Sequence, residues 1–85
     1  MSNPLSVVII TKNDEDFIEE AIKSAQFAKE VVVVDSFSVD KTCEIAKKLG
    51  ARVIQKEWMG FGAQKNLAVS LASNQWVLFL IQMKE

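Results

Sequence analysis

The most constraining feature of the sequence is a pair of short runs built almost entirely of aliphatic, mostly β-branched residues. Residues 5–10 read LSVVII, and residues 31–34 are four consecutive valines. Such continuous runs are typical of strands buried on both faces of a parallel sheet. Because parallel strands need a crossover between them, usually a helix, this feature predicts an α/β fold.

The segment between the two runs has helical spacing and predicts the first crossover. Asn13 is predicted to cap this helix, and Asp16 stands where a capping-box acid would. Glu19 and Lys23 lie one turn apart on its outer side. Its predicted inner stripe is Phe17, Ile18, Ala21, Ile22 and Ala25.

The same alternation continues to the end of the chain. A second helix is predicted to begin at Ser38 or Asp40 and to end before Gly50, the natural residue after a helix. Its inner stripe is Cys43, Ile45, Ala46 and Leu49. Further elements are predicted as a strand at 51–54, a helix at 64–72 ended by Ser73 and Asn74, and a strand at 75–80.

Four strands alternating with three helices predict a Rossmann-like parallel four-stranded sheet of order 3-2-1-4. Two helices are expected on one face and the third on the other. This arrangement leaves part of one face bare and makes the fourth strand an open apolar edge. We therefore expect a homo-oligomer that forms through this edge.

Composition removes several function classes. The 85 residues suffice for one domain, and ten basic residues against eleven acidic ones argue against nucleic-acid binding. The absence of histidine excludes Ser-His-Asp and Cys-His nucleophiles, and one cysteine allows no internal disulfide. The first apolar run is too short for a signal-peptide core or a membrane span, so we expect a cytoplasmic protein.

Polar residues follow the strands where a ligand site is expected. In open α/β sheets ligands bind beyond the carboxyl ends of the strands, where the strand order reverses. The residues predicted there are Thr11, Lys12, Asn13, Asp35, Ser36, Gln64, Lys65 and Asn66. They suit a phosphate-bearing ligand. The sequence has neither a P-loop motif nor a Gly-x-Gly-x-x-Gly turn, which argues against an NTPase and a dinucleotide dehydrogenase.

Each of these residues also has a purely structural interpretation. Asn13 can be a helix cap, Asp35 the start of a turn, and Lys65 a solvated helix charge. Asp40 is predicted to be a first-turn charge of the second helix, and Cys43 to be core. Trp58 and Phe61 either stack on a base or sugar, or fill the interior of their loop.

Three blocks of the sequence resemble the family 2 inverting glycosyltransferases. They are residues 5–15 (LSVVIITKNDE), 31–42 (VVVVDSFSVDKT) and 58–66 (WMGFGAQKN). The last block is similar to bacterial members of the lipopolysaccharide-core type. The resemblance spans roughly residues 5–80 and implies a truncated GT-A-type nucleotide-diphospho-sugar transferase fold. On this interpretation residues 1–85 form a single, incomplete domain, the donor-binding half of a catalytic domain.

The resemblance also implies roles for particular residues. Thr11, Lys12, Asn13 and Glu15 would line the nucleoside pocket. Asp35, with Ser36 beside it, would accept a hydrogen bond from the base, commonly uracil, and Lys65 would lie near the ribose or diphosphate. The implied reaction is hexosyl transfer from a UDP-sugar to a lipopolysaccharide, lipid-linked or other cell-surface glycan acceptor, at the inner face of the membrane in the full-length form.

The sequence departs from the family after residue 80. Family members carry an Asp-x-Asp there that holds Mg²⁺ or Mn²⁺ on the donor diphosphate, and a general base further on. Here the chain reads IQMKE, so we expect no catalytic residue, no metal site and no activity from this chain. The codons for these five residues are compatible with Asp-Ser-Asp-Glu-Arg in a frame shifted by one base, which suggests a deletion in the gene.

Two other functions compete with a transferase fragment. One is a non-catalytic α/β interaction module that oligomerises through the edge of its fourth strand. The other is a receiver-like signalling domain. It is disfavoured because the first turn lacks paired acids and the third strand does not end in aspartate.

Overall fold

The computed structural model describes residues 5–71 and 76–83, and within them strands and helices alternate along the chain. The elements are β1 (Leu5–Lys12), α1 (Ile18–Ser24), β2 (Glu30–Asp35), α2 (Thr42–Lys48), β3 (Arg52–Gln55), α3 (Phe61–Leu71) and β4 (Trp76–Met83). The predicted end of the third helix at Ser73 and Asn74, and the predicted strand start at Gln75, lie outside the described residues.

The four strands form one parallel sheet of order β3-β2-β1-β4, which confirms the predicted order. Val7 pairs in register with Val31 of β2 and with Leu78 of β4, so β1 runs through the centre of the sheet. Within the described part of the chain β4 pairs only with β1, and its other side is open.

The alternation of side chains along the strands divides the core between the two faces of the sheet. Helices α1 and α2 pack on the face of Val7, Ile9 and Val33. Helix α3 packs on the opposite face, which consists of Val8, Ile10, Val32 and Val34. The predicted assignment of helices to faces is therefore confirmed.

The uncovered part of the sheet lies over β4. Helices α1 and α2 are the crossovers between β1, β2 and β3, and on their side of the sheet β4 packs against the core with Leu80. Leu78, which projects from that side of β4, is 45% exposed. None of the helices in the described ranges is long and apolar enough to cross a membrane.

The structure corrects several predicted boundaries. Strand β1 continues to Lys12 and β4 to Met83, each beyond its apolar run. Helix α2 begins at Thr42 rather than at Ser38 or Asp40, and α3 begins at Phe61 rather than at Gln64. The strands are longer than their apolar runs because main-chain pairing continues past the last apolar residue. The helices begin at other residues than predicted because helical hydrogen bonding does not follow the cap and hydrophobic patterns.

The predicted cap of the first helix is wrong. Helix α1 begins at Ile18 with Phe17 as its N-cap residue, so neither Asn13 nor Asp16 caps it. Asn13 lies instead in a left-handed conformation, with φ 51°. The Glu19–Lys23 pair is confirmed, with Nζ and Oε2 2.7 Å apart. The prediction that Gly50 follows the end of α2 is confirmed, and Gly50 has φ 85°.

Candidate functional site

The carboxyl ends of β1 and β2 meet at one edge of the sheet, as the sequence predicts. Thr11 pairs in register with Asp35, and the Ser36 N–H donates to the Thr11 carbonyl at 3.0 Å. On the other side of β1, Thr11 pairs with Gln82 and Lys12 with Met83. Thr11, Asp35 and Ser36 are buried, and Lys12 is half-buried at the rim. Four of the predicted site residues therefore lie side by side.

Asp35 is fully buried, and Ser38 holds its carboxylate. The Ser38 N–H donates to Oδ2 at 2.8 Å, and the Ser38 hydroxyl donates to Oδ1. The main chain of Asp35 is also engaged, because the Lys56 N–H donates to its carbonyl at 2.8 Å. In this conformation the carboxylate organises the turn that follows β2.

Asn13 connects the turn after β1 to the turn after β2. Its N–H donates to Ser38 Oγ at 2.7 Å, and its Oδ1 accepts from the Val39 N–H at 2.8 Å. The Ser38 hydroxyl therefore donates a hydrogen bond to Asp35 and accepts one from Asn13. The side-chain amide that was expected to cap a helix bonds across to a neighbouring loop instead.

A second group of bonds joins the same two turns. The Glu15 N–H donates to Asp40 Oδ2 at 3.1 Å, and the Lys41 N–H donates to Glu15 Oε2 at 3.2 Å. The Asp14 N–H donates to Thr42 Oγ1 at 2.9 Å. The turns after β1 and β2 are therefore linked at several points, and we call residues 13–15 and 35–42 together the paired turns.

Asp40 lies two residues before α2 and accepts hydrogen bonds at both carboxylate oxygens. Thr42 donates to Oδ1 from its N–H at 3.0 Å and from its hydroxyl at 2.5 Å. Partial burial disfavours the charged form, but the hydrogen bonds from Thr42 and from the Glu15 N–H outweigh it and lower the pKa of Asp40 below 3.8. The carboxylate of Asp40 therefore links the paired turns by hydrogen bonds, and it is not a first-turn charge of α2 as predicted.

Three buried side chains near this edge lack hydrogen-bond partners within residues 5–71 and 76–83. They are the hydroxyls of Thr11 and Ser36, and the side-chain amide of Gln64, whose nitrogen and oxygen are both unpaired. Gln64 lies in the first turn of α3, on the same inner stripe as Leu67 and Leu71. This first turn is at the carboxyl edge of the sheet. Buried polar groups without partners are uncommon and point to a bound water or ligand.

Lys65 contacts an aromatic ring on β4. It is exposed on α3, and its Nζ is 5.3 Å from the centroid of the Phe79 ring on β4, a cation–π distance. Glu15 is also exposed, at the outer side of the paired turns. Trp58 is 38% exposed, and the side chain of Phe61 lies outside the described residues.

The described residues do not fit a divalent metal. Residues 5–71 and 76–83 contain no group of three His, Cys, Asp or Glu side chains that could hold one. Cys43 is half-buried rather than core, and burial together with the nearby Asp35 carboxylate raises its pKa to about 11. A thiol with this pKa stays protonated at neutral pH and is a poor ligand and nucleophile.

The sequence pointed to most of this region but not to its connections. The pattern predicts Ser38 or Asp40 as the start of the second helix, and it predicts no contact for Thr42. A usable signal exists in the alternation of short polar residues at 36, 38, 40 and 42, because Ser, Thr and Asp side chains commonly bond to nearby main-chain groups.

Comparison with known protein families gives one family model over almost the whole chain. The glycosyl transferase family 2 model matches residues 6–80. An uncharacterized glycosyltransferase from Rickettsia bellii is 47% identical over 79 residues, which cover 92% of this chain and 27% of that protein. The lipopolysaccharide core biosynthesis glycosyltransferase LpsC from Rhizobium meliloti is 32% identical over 78 residues, covering 86% of this chain and 29% of that protein.

Solved structures of the same fold include one with a bound nucleotide and metal. Glucosyl-3-phosphoglycerate synthase from Mycobacterium tuberculosis, in complex with Mn²⁺, uridine diphosphate and glucosyl-3-phosphoglycerate, superimposes with a TM-score of 0.69 at 32% identity. The match covers 91% of this chain and 32% of the synthase. The chain thus spans about a third or less of the length of the proteins it resembles.

Proposed function

Because the chain belongs to glycosyl transferase family 2, we propose that it forms the donor-binding part of an enzyme that transfers a sugar from a nucleotide diphosphate. One observation carries this proposal. The fold matches, over 91% of the chain and at 32% identity, a glycosyltransferase whose structure contains uridine diphosphate. A UDP-sugar is therefore the donor that we propose.

The nucleoside pocket in this proposal is the carboxyl edge of β1 and β2 with the paired turns. Thr11, Asp35 and Ser36 form its buried floor, while Lys12, Asn13 and Glu15 line its accessible rim. Asp35 is covered by Ser38, so a hydrogen bond from a base to its carboxylate requires residues 36–39 to move. Lys65, whose Nζ lies over the Phe79 ring, is the cation proposed to bind the diphosphate.

The acceptor and the metal belong to the same proposal. The similarity to LpsC supports a lipopolysaccharide or related cell-surface glycan as acceptor, and so an enzyme that works at the inner face of the membrane. The Mn²⁺ of the synthase supports a divalent metal for the complete catalytic domain. Since the described residues offer no ligand set for it, we expect this chain to bind the donor without metal and to transfer no sugar.

Calorimetric titration of the 85-residue chain tests the donor site. We expect UDP and UDP-glucose to bind, ADP to bind more weakly, and Mn²⁺ to leave the affinity unchanged. Asp35→Asn and Lys65→Met should weaken binding, whereas Asp16→Asn and Lys29→Met, which alter exposed residues of the same types, should not. Failure of the native chain to bind UDP would contradict the proposal, and strong metal dependence would contradict the account of the metal.

A second candidate function rests on the β4 edge. The exposed Leu78 lies on an open strand, and a groove of about 340 Å³ separates α1 from β4. The groove is lined by Phe17, Ala21 and Leu80 together with the polar residues Glu20 and Ser24. A second copy of the chain that pairs with β4 would cover it, which is the interaction-module alternative. Light scattering checks it: we expect a dimer that Leu78→Lys dissociates, and a native monomer would exclude this candidate.

A further inference from the structure

Phe37 has a backbone conformation that aromatic residues rarely adopt. Its φ is 55°, in the left-handed region, where the Cβ atom of an L-residue crowds the main chain. Asn13, the other non-glycine residue with positive φ in the described chain, is of a type that tolerates this region because its short amide bonds locally. Phenylalanine has no such compensation.

The surrounding hydrogen bonds fix this conformation without help from the Phe37 ring. Directly after residue 37, side chains hold the main chain: the Asp35 carboxylate accepts from the Ser38 N–H, and Asn13 Oδ1 accepts from the Val39 N–H. Directly before it, the Ser36 N–H donates to the Thr11 carbonyl at 3.0 Å. Glycine or asparagine at position 37 would satisfy the same bonds with less strain. The turn therefore accounts for the positive φ but not for the aromatic residue.

The ring of Phe37 is also not needed for packing. It is 51% exposed, and neither of the two core clusters formed by the described residues includes it. The strained backbone lowers stability, and a ring that stays half exposed offsets only part of that cost by burial. Strain of this kind concentrates at ligand sites, where the surrounding structure holds an unfavourable conformation for the sake of binding.

We propose that Phe37 is the surface on which the base of the donor nucleotide stacks. The inference rests on the proposed function and adds a base-binding residue to it. Phe37 follows Asp35 and Ser36 directly, so its ring lies at the carboxyl edge where the nucleoside is proposed to bind. Aromatic faces bind bases by stacking, and with Asp35 covered by Ser38, the ring of Phe37 is an accessible group for that contact.

The position also makes a base a better occupant than an apolar protein or lipid surface. The neighbours of Phe37 in the chain are Ser36, whose buried hydroxyl is unpaired within the described residues, and Ser38, which is bound to a carboxylate. A flat ring beside such polar groups matches a base, which has a π-face and a polar edge. An apolar partner would offer these polar groups no hydrogen bond.

Substitutions at Phe37 should change stability and binding in opposite directions. Phe37→Gly and Phe37→Asn relieve the strained φ, so both should raise the melting temperature. Both should also weaken UDP binding about tenfold, the size of effect expected from loss of one base–aromatic stack. Phe37→Trp should bind UDP as the native chain does. The measurements are thermal denaturation and calorimetric titration with UDP.

Phe27→Leu is the matched control, because Phe27 is also exposed but lies just before β2, at the opposite edge of the sheet. It should leave UDP binding unchanged, whereas Phe37→Leu should weaken it. If the native chain binds UDP and both Phe37→Gly and Phe37→Asn bind it within twofold of native, the stacking role is wrong while the donor site stands. If the native chain binds no UDP, the proposed function fails and the stacking role with it.

Discussion

The loops at the two ends of the parallel sheet are held by different kinds of hydrogen bond. At the amino end, main-chain bonds predominate: the Gly50 and Ala51 N–H groups donate to the carbonyls of Lys47 and Ala46, both at 3.1 Å. The Lys29 N–H likewise donates to the Leu5 carbonyl at 3.0 Å. At the carboxyl end, side chains of the paired turns hold the main chain of a neighbouring turn, as Ser38, Asn13 and Asp40 do.

The same contrast appears in the residues that adopt positive φ. At the amino end the left-handed position after α2 is filled by Gly50, for which it costs little. At the carboxyl end Gly60, before α3, is also a glycine, but the two left-handed positions in the paired turns are filled by Asn13 and Phe37. The amino end is closed by unstrained main-chain bonds. The carboxyl end has buried acids, a strained aromatic residue and hydroxyls that have no partner within residues 5–71 and 76–83, and stability alone does not explain these features. This difference supports the proposal that the ligand binds at the carboxyl end.

The largest effect is expected from Asp35→Ala. It should lower the free energy of unfolding by about 3 kcal/mol, because the N–H and the hydroxyl of Ser38 both lose their acceptor. Ser6→Ala, which removes the 2.9 Å bond to Glu30 at the amino end, should cost only about 1 kcal/mol. Urea denaturation measures both, and equal losses at the two ends would remove the contrast.

Gln64→Met should stabilise the chain. The change replaces a buried amide that lacks partners within the described residues by an apolar side chain of similar shape, which should raise the free energy of unfolding by about 1–2 kcal/mol. Gln26→Met, at an exposed position after α1, should change it by less than about 0.5 kcal/mol. A loss of stability in Gln64→Met would show that the amide is satisfied by a structural water.

Gly50→Ala should destabilise the chain by about 1 kcal/mol, since an L-residue is disfavoured in the left-handed region. An added Cβ would meet nothing within 4 Å, so the cost comes from the backbone alone. The comparison with Phe37→Gly is direct, because one change adds a Cβ at a positive φ and the other removes one. Thermal denaturation should therefore give shifts of opposite sign, and shifts of the same sign would contradict the strain at Phe37.

Asp40→Asn should have the smallest effect, about 0.5 kcal/mol, as charge-assisted hydrogen bonds become neutral ones. The effect should depend on pH. Because the pKa of Asp40 is lower in the folded chain than its ordinary value of 3.8, its charge stabilises the fold above that value, and this stabilisation is lost as pH falls through the folded pKa. Unfolding measured from pH 7 to pH 2 should show the variant and the native chain converging at low pH. A constant difference would exclude the charge as the cause.

The hydrophobic pattern was sufficient to predict the fold. The runs at 5–10 and 31–34 gave the central strands, and the stripe Ile18, Ala21, Ile22 gave the helix that covers them, because burial of apolar side chains determines both. Strand order and helix faces then followed from the handedness of crossovers. Helix starts were predicted less well, since Asn13 and Asp40 bond between loops and such bonds leave no periodic pattern.

The candidate site was predicted by position but not by contact. Topology placed Thr11 and Asp35 at one edge, and the structure pairs them. The burial of Asp35 under Ser38 and the contact of Lys65 with Phe79 depend on side-chain packing, which spacing along the chain does not encode. The donor-binding roles of these residues stay predictions.

The most direct test is a two-dimensional ¹H–¹⁵N NMR titration of the chain with UDP, which reports on both ends of the sheet at once. The account predicts that amide signals of Lys12, Asn13, Glu15 and the segment 35–40 shift, while those of Lys29, Gly50 and Ala51 do not. Shifts confined to the amino end or to the β4 edge, or no shifts at saturating UDP, would contradict the claim that the carboxyl end binds a nucleotide.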